Sequence, residues 1–254
     1  MGHVEWVEFA RVPSMPASGE IVHAVETWEE PAGGGAVVAR QLALLAGRCE
    51  LFTGLGEDEL GRESARRLAA LGIDVHARWD GSTRRAFTHV DARGERTITV
   101  LGDKLLPQGP LPLDGYDLVF FVAGDVAALR SARRARFLAG TVRELATLKA
   151  GRVPLDLLVA SANDPGEAYD GSLEVRHTAL TDGNRGGSFD GERWEAVPAV
   201  ISDAYGAGDS FAAALAFGLA RGDDSTAALQ LAARAGAAVI GGRGPYEAQL
   251  GSEL

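Results

Sequence analysis

Short apolar runs alternate along this chain with amphipathic stretches, and the period of each predicts its element. Residues 1–12 read as a strand leading into a loop. Fewer apolar residues precede Gly2 than a buried parallel strand carries, so either this strand is short or the true start lies upstream. Residues 19–28 alternate as a half-exposed strand, and residues 85–101 read as a hairpin turning at Asp91-Ala-Arg-Gly94. Residues 31–47 are a glycine turn followed by an amphipathic helix, with Gly47 as its C-cap. Residues 49–58 form a strand and turn, residues 62–71 a helix, and residues 72–75 open the next strand, with Asp58 as a turn or cap residue. Residues 117–125 are an apolar run ending in Gly-Asp, as when a buried parallel strand reaches the ligand-bearing edge of a sheet. The basic residues 130–136 read as a solvated helix face, and residues 137–142 and 157–162 continue the alternation of strand and helix. Residues 175–189 are a strand, a glycine turn and another strand. Two alanine-rich helices follow, one from Asp209 and one over 227–240, separated by Gly222 and a new N-cap at 223–226. The pattern predicts a three-layer α/β fold with a mainly parallel central sheet, and a small sheet outside it.

Composition narrows the function. The chain has 254 residues, 46% of them hydrophobic, enough for one sizeable core over 1–254. A net charge of −10 without a dominant basic patch argues against a nucleic-acid partner. The single cysteine, Cys49, rules out an internal disulfide and suits the cytoplasm. No long apolar span points to a membrane.

The stretch with chemistry in it is Gly206-Ala-Gly-Asp209 at the head of a helix. Glycines let backbone N–H groups approach a ligand closely, and the first N–H groups of a helix bind anions. An acid beside such a cradle can take the proton of an attacking hydroxyl, which suits phosphoryl transfer to an alcohol. The plainer reading is a turn capped by Asp209.

The longer stretch, Asp203-Ala-Tyr-Gly-Ala-Gly-Asp209, resembles the C-terminal signature Asp-Thr-x-Gly-Ala-Gly-Asp of the ribokinase/PfkB carbohydrate kinase family, with Ala204 in place of Thr. The rest of the chain agrees in order. Gly33-Gly34 resembles the family's N-terminal glycine pair, Gly19-Glu20 and Gly94–Thr97 its lid positions, and Thr181-Asp-Gly183-Asn-Arg-Gly186 its Thr-x-Gly-x-x-Gly. The resemblance implies a ribokinase-like fold whose small β-sheet, about 19–30 and 84–101, is a lid and a homodimer surface. It implies an ATP-dependent kinase acting on a hydroxyl of a small sugar. Asp209 is the base, and the N–H groups of Gly206, Ala207 and Gly208 stabilise the transferring group. Thr181, Gly183 and Gly186 hold nucleotide phosphates bridged by Mg2+. Asp203 lies near a monovalent-cation (K+) site, and the last helix and loop flank the adenine. Gly33 and Gly34, with Glu5, Glu8 or Asp125, shape the acceptor site; each acid has an exposed or loop role as its alternative.

Departures from the family pattern keep other readings open. The first strand lacks the family's sugar-binding Asp, and Val38 stands where the family carries a sugar-binding Asn. Asn163-Asp-Pro-Gly-Glu167 replaces Asn-x-x-Glu without the helix that usually follows, so no metal ligand is assigned. A nucleoside kinase, or a nucleotide- or sugar-binding protein without catalysis, are the alternatives.

Overall fold

The computed structural model describes residues 1–251. Its main sheet is built on parallel strands β7 (Leu118–Phe121), β8 (Phe137–Thr141), β9 (Leu155–Ser161) and β10 (Val175–Thr181). Two short antiparallel strands, β11 (Gly187–Phe189) and β12 (Glu192–Trp194), continue it at one side. At the other side lies a parallel pair, β3 (Cys49–Leu55) and β4 (Ile73–Trp79). Met1 and Gly2 bridge the two groups, bonding to Phe120 of β7, to Val122 just after it and to Phe52 of β3.

Both faces of this sheet are apolar, as buried parallel strands require. Leu157 and Val159 of β9 pack toward α1 (Gly34–Ala46), α5 (Ala207–Arg221) and α6 (Ser225–Val239). Leu158 and Ala160 pack toward α3 (Val126–Ala132) and α4 (Leu145–Gly151). α2 (Glu59–Ala70) covers β3 and β4 through buried Leu68. Its N-cap is Asp58, which accepts from the Gly61 N–H at 2.9 Å and the Thr83 N–H at 2.7 Å, a cap worth about 1 kcal/mol. The result is the expected three-layer α/β architecture.

The small sheet has the order β2-β1-β5-β6. β1 (Glu5–Arg11) leaves the main sheet directly after His3 and becomes the centre of this second sheet. It pairs antiparallel with β2 (Glu26–Ala32) and parallel with β5 (Arg85–Val90), which forms the expected hairpin with β6 (Arg96–Leu101). Val7, Phe9, Ala86 and Val90 on its inner face pack on Val37 and Tyr205, so the sheet sits over the N-terminal ends of α1 and α5.

Two expectations are corrected. The strand foreseen over 19–30 begins only at Glu26, because β1 ends at Arg11, the register partner of Glu26. Residues further upstream have no strand to pair with, and Ile21 and Val25 are exposed despite the alternation. The basic stretch 130–136 is not one helix face. α3 stops at Ala132, and Arg133 reaches the Pro154 carbonyl at 3.0 Å and Asp156 at 2.8 Å, pinning the start of β9.

Candidate active site

α5 begins at Gly206, whose φ of 84° is a left-handed conformation that side chains resist. The turn leaves the first N–H groups of the helix facing outward without helical partners. A Cβ on Gly208 would meet no atom within 4 Å, so the approach to this helix end is open.

α1 starts at the same place. A Cβ on Gly34 would lie 3.2 Å from Asp209 Oδ1, so a side chain there would crowd the carboxylate where the two helix ends meet. The Gly33 N–H donates to the Tyr205 hydroxyl at 3.3 Å, tying the two turns together. Two positive helix ends thus converge on one carboxylate. Asp209 is half-buried. Burial raises its carboxyl above the usual range, while Arg143 and Arg96 pull it the other way.

Beside Gly33 lies a second polar group. A Cβ on Gly33 would sit 3.1 Å from the His3 ring and 3.3 Å from Glu5 Cγ. Burial, then Lys104, Arg84 and Arg143, lower His3 to about 3, so the imidazole is neutral. Glu5 is buried, with its carboxyl raised by desolvation against the pull of Arg84. Arg84 Nε is 3.2 Å from Glu5 Oε2 but misaligned for a hydrogen bond. His3 Nδ1, Glu5 Oε2 and Arg84 Nε are all buried polar atoms without a hydrogen-bond partner. Such unpartnered atoms beside a half-buried carboxylate are suited to a ligand's hydroxyl groups.

Arg143, whose charge lowers the proton affinity of Asp209, stands just past the carboxyl end of β8. Its Nε pairs with Glu167 at 2.6 Å and its Nη2 with Asp164 at 2.6 Å. Glu167 is buried, accepts from the Ser161 N–H at 2.7 Å and is raised by desolvation. The Thr181–Gly186 turn follows at the carboxyl end of β10. A Cβ on Gly183 would sit 3.3 Å from Asn163 Nδ2, and Thr181 Oγ1 donates to the Ala160 carbonyl at 3.3 Å.

The sequence profile of the pfkB family carbohydrate kinases matches residues 2–148 and 162–250. The chain belongs to that family. A search among curated proteins returned no match. Among solved structures, this pfkB protein is similar to Thermotoga maritima ribokinase at 18% identity and a TM-score of 0.77, over 99% of this chain and 95% of that one. It is also similar to Burkholderia thailandensis nucleoside kinase in complex with inosine, at 19% identity and a TM-score of 0.78, over 99% and 93%. Arabidopsis thaliana ribokinase complexed with ribose and ATP gives 20% identity and a TM-score of 0.69, over 99% and 95%. At these identities the likeness is one of fold, and the fold is ribokinase-like.

The residues singled out in the sequence fall into distinct places. Gly33, Gly34, Gly206, Ala207, Gly208 and Asp209 meet at one point. Thr181, Gly183 and Gly186 form a neighbouring turn. Asp203 is buried, and its two oxygens accept from the Tyr205 and Gly244 N–H groups at 2.9 Å each, bracing the turn against the C-terminal segment. Asp125 caps α3 and also accepts from the Gly109 N–H at 3.0 Å. Glu8 alternates to the other face of β1 from Glu5 and pairs with Arg85. Val38 is a core residue on α1, in one cluster with Phe120 and Val122. The connection after β9 holds only a 3-10 turn, Pro165–Glu167, as the missing helix implied.

Sequence reasoning passed over His3, Arg84 and Arg143. Arg143 carried a usable signal, since it follows an apolar strand at the edge where α/β sheets bind ligands. His3 and Arg84 carried none, because they meet only when β1 crosses between the two sheets.

Proposed function

We propose that this pfkB protein is an ATP-dependent phosphotransferase that phosphorylates a hydroxyl of a small carbohydrate, with Asp209 as the general base. The observation that carries the reading is the placement of Asp209, a half-buried carboxylate with raised proton affinity between two helix N-termini. The acceptor lies against Gly33 and Gly34, with hydroxyls on the free atoms of Glu5, His3 and Arg84. Glu5, not Glu8, is the acid on that side, and Asp125 is spent on its cap. Asp209 takes the proton of the attacking hydroxyl. The N–H groups of Gly206, Ala207 and Gly208 stabilise charge on the transferring phosphoryl group. Thr181, Gly183 and Gly186 hold the nucleotide's phosphates, with Arg143 between them and the base.

Magnesium bound to those phosphates would neutralise charge between the β- and γ-oxygens. The fit is to an ion held chiefly by phosphates and water, because both Glu167 oxygens are already engaged by Ser161 and Arg143. Asp203 serves as the brace of the turn. The small sheet acts as a lid, with Ile98 and Val100 exposed on its inner face beyond Ala86 and Thr88. The unpaired edge of β6 suits a lid-to-lid homodimer; a Val100→Lys variant that sediments like the parent would remove that part of the reading.

A nucleoside acceptor is the second reading, favoured by the burial of Val38 where the family places its sugar-binding Asn. ADP release with ATP and magnesium across sugars, polyols and nucleosides separates the two. Turnover on a sugar or polyol supports the first reading, and turnover on nucleosides alone supports the second. ATP binding without turnover on any acceptor class would point to a non-catalytic binding protein.

A further inference from the structure

Arg84 and Arg85 are neighbours where β5 begins, and their side chains part to opposite faces of the small sheet. Arg85 turns outward to the exposed Glu8 of β1. Arg84 turns inward to Glu5, and its side chain is only 16% exposed. The Trp6 N–H donates to the Arg84 carbonyl at 2.9 Å, so the backbone holds Arg84 beside the acceptor end of β1.

A guanidinium next to a carboxylate commonly docks on it with two parallel N–H bonds. Arg66 on α2 does so, meeting the two oxygens of Glu63 at 2.8 Å and 2.5 Å. Arg84 does not dock on Glu5 in this way. Its Nε lies 3.2 Å from Glu5 Oε2, out of line and without a hydrogen-bond partner. No other carboxylate among the described residues lies within ion-pairing distance of Arg84. A planar fork of donors therefore stands at the acceptor site with no anion seated on it.

Lys104 stands close by, since its charge and that of Arg84 both lower His3 and both pull on Glu5. Lys104 Nζ donates to buried Glu144 at 3.0 Å, which engages one of its three N–H groups. Arg143, the third cation acting on His3, is already paired with Glu167 and Asp164. Arg84 and Lys104 are thus the cations with donors to offer. The chain carries 25 Lys and Arg against 35 Asp and Glu, so cations gathered at one site run against the charge of the whole molecule.

Neutral partners for an acceptor are few. Residues 34–39, the first turns of α1, carry no polar side chain, and Asp125 is engaged by its cap. A neutral acceptor would bury the Arg84 fork and leave its N–H groups unbonded, whereas an oxyanion meets that fork in a matching bidentate geometry. Burial raises the Glu5 carboxyl against the pull of Arg84, so Glu5 is a weak competitor for the guanidinium and is free to meet a ligand hydroxyl.

We propose that the acceptor is anionic: besides the hydroxyl it presents to Asp209, it carries a carboxylate or a phosphate ester that Arg84 takes on its guanidinium fork, with Lys104 beside it. Arg84 is then the residue that sets substrate class. The role of the bound molecule as acceptor rests on the phosphotransferase reading above; its charge does not.

The test uses matched ligands: D-ribose, D-ribonate and D-ribose 5-phosphate, and D-glucose, D-gluconate and D-glucose 6-phosphate. Calorimetry reads binding to the parent, Arg84→Gln and Arg84→Lys, and ADP release reads turnover. In at least one set an anionic member should bind about 30-fold or more tighter than its neutral sugar and show the higher kcat/KM. The carboxylate and ester arms identify the group. Arg84→Gln should remove most of that preference, and Arg84→Lys, which keeps the charge without the fork, should recover part of it. A phosphate ester held instead at the Gly206 turn would bind Arg84→Gln as tightly as the parent, and that result overturns the proposal. Anionic members that bind no tighter than their neutral partners also overturn it, and turnover of those neutral sugars would leave the phosphotransferase reading standing. Anionic binding that depends on Arg84 but yields no ADP supports the proposal and counts against that reading.

Discussion

Gly34 and Asp209 touch across the N-terminal ends of α1 and α5. A methyl group on Gly34 would stand 3.2 Å from Asp209 Oδ1 and 2.9 Å from Val122 Cγ1. These two positions are far apart in the chain, and each belongs to a glycine turn that is unremarkable alone. Their contact makes one site of two turns and holds the carboxylate where both helix ends act on it.

Gly34→Ala is therefore expected to displace Asp209 while leaving the fold standing. Relieving that contact moves the carboxylate by a few tenths of an ångström, which should cost up to about tenfold in rate, against about 100-fold for a misplacement of 1 Å. Steady-state kinetics with a responsive acceptor should show that loss in kcat/KM, and circular dichroism should show an unchanged fold. A Gly34→Ala enzyme with undiminished kcat/KM would mean that the acceptor does not bind between these turns.

Asp209 is expected to be a site where stability is sacrificed. Its folded carboxyl holds a proton more tightly than the unfolded one, so ionising it costs folding free energy. That cost is present at neutral pH and vanishes as the pH falls below the ordinary carboxylate value, where both states are protonated. Asp209→Asn should therefore melt about 2–4 °C higher than the parent near pH 7.5, with the difference closing toward pH 4. Thermal melts over that range read the sign directly.

Arg96 links β6 to the turn that precedes Asp209. Its Nη1 donates to the Ala204 carbonyl at 3.2 Å, and its charge lowers the proton affinity of Asp209. Arg96→Ala should move the acid limb of the kcat/KM profile to higher pH. It should also raise ADP release without acceptor, because a looser lid admits water to the phosphates. A profile that does not move would separate Arg96 from the base.

Arg143 and Glu167 can be tested as a pair. Arg143→Met leaves the Glu167 carboxylate buried without its cation, at a cost of about 1–2 kcal/mol. Adding Glu167→Gln should restore most of that stability and none of the activity, if Arg143 acts on the phosphates as proposed. Urea melts and ATP kinetics on the single and double variants distinguish the two roles. Recovery of activity in the double variant would reduce Arg143 to a structural partner.

Legibility followed locality. The Gly47 C-cap, the Asp58 cap, the turn at 91–94 and the Gly206 turn are each fixed by a few neighbouring residues, and all could be read from the sequence. The start of β2 could not. Alternation over 19–28 satisfies a strand's period, but β1 supplies partners only from Glu26 onward. The acceptor side was partly legible: Glu5 and Glu8 are equivalent acids in the sequence, and only the crossing of β1 into the second sheet sets them on opposite faces. The group formed by Arg143, Glu167 and Ser161 joins the ends of two strands, β8 and β9, so its pairing has no local trace even though Arg143 itself follows an apolar strand.

The most direct test is single-turnover phosphoryl transfer by Asp209→Asn, beside the parent, with the acceptor that the panel identifies. The expected result is retained ATP binding with transfer slowed by about 1,000-fold or more, as loss of an essential base implies. A variant that transfers phosphate at close to the parent rate would contradict the account, because the base would then be some group other than Asp209.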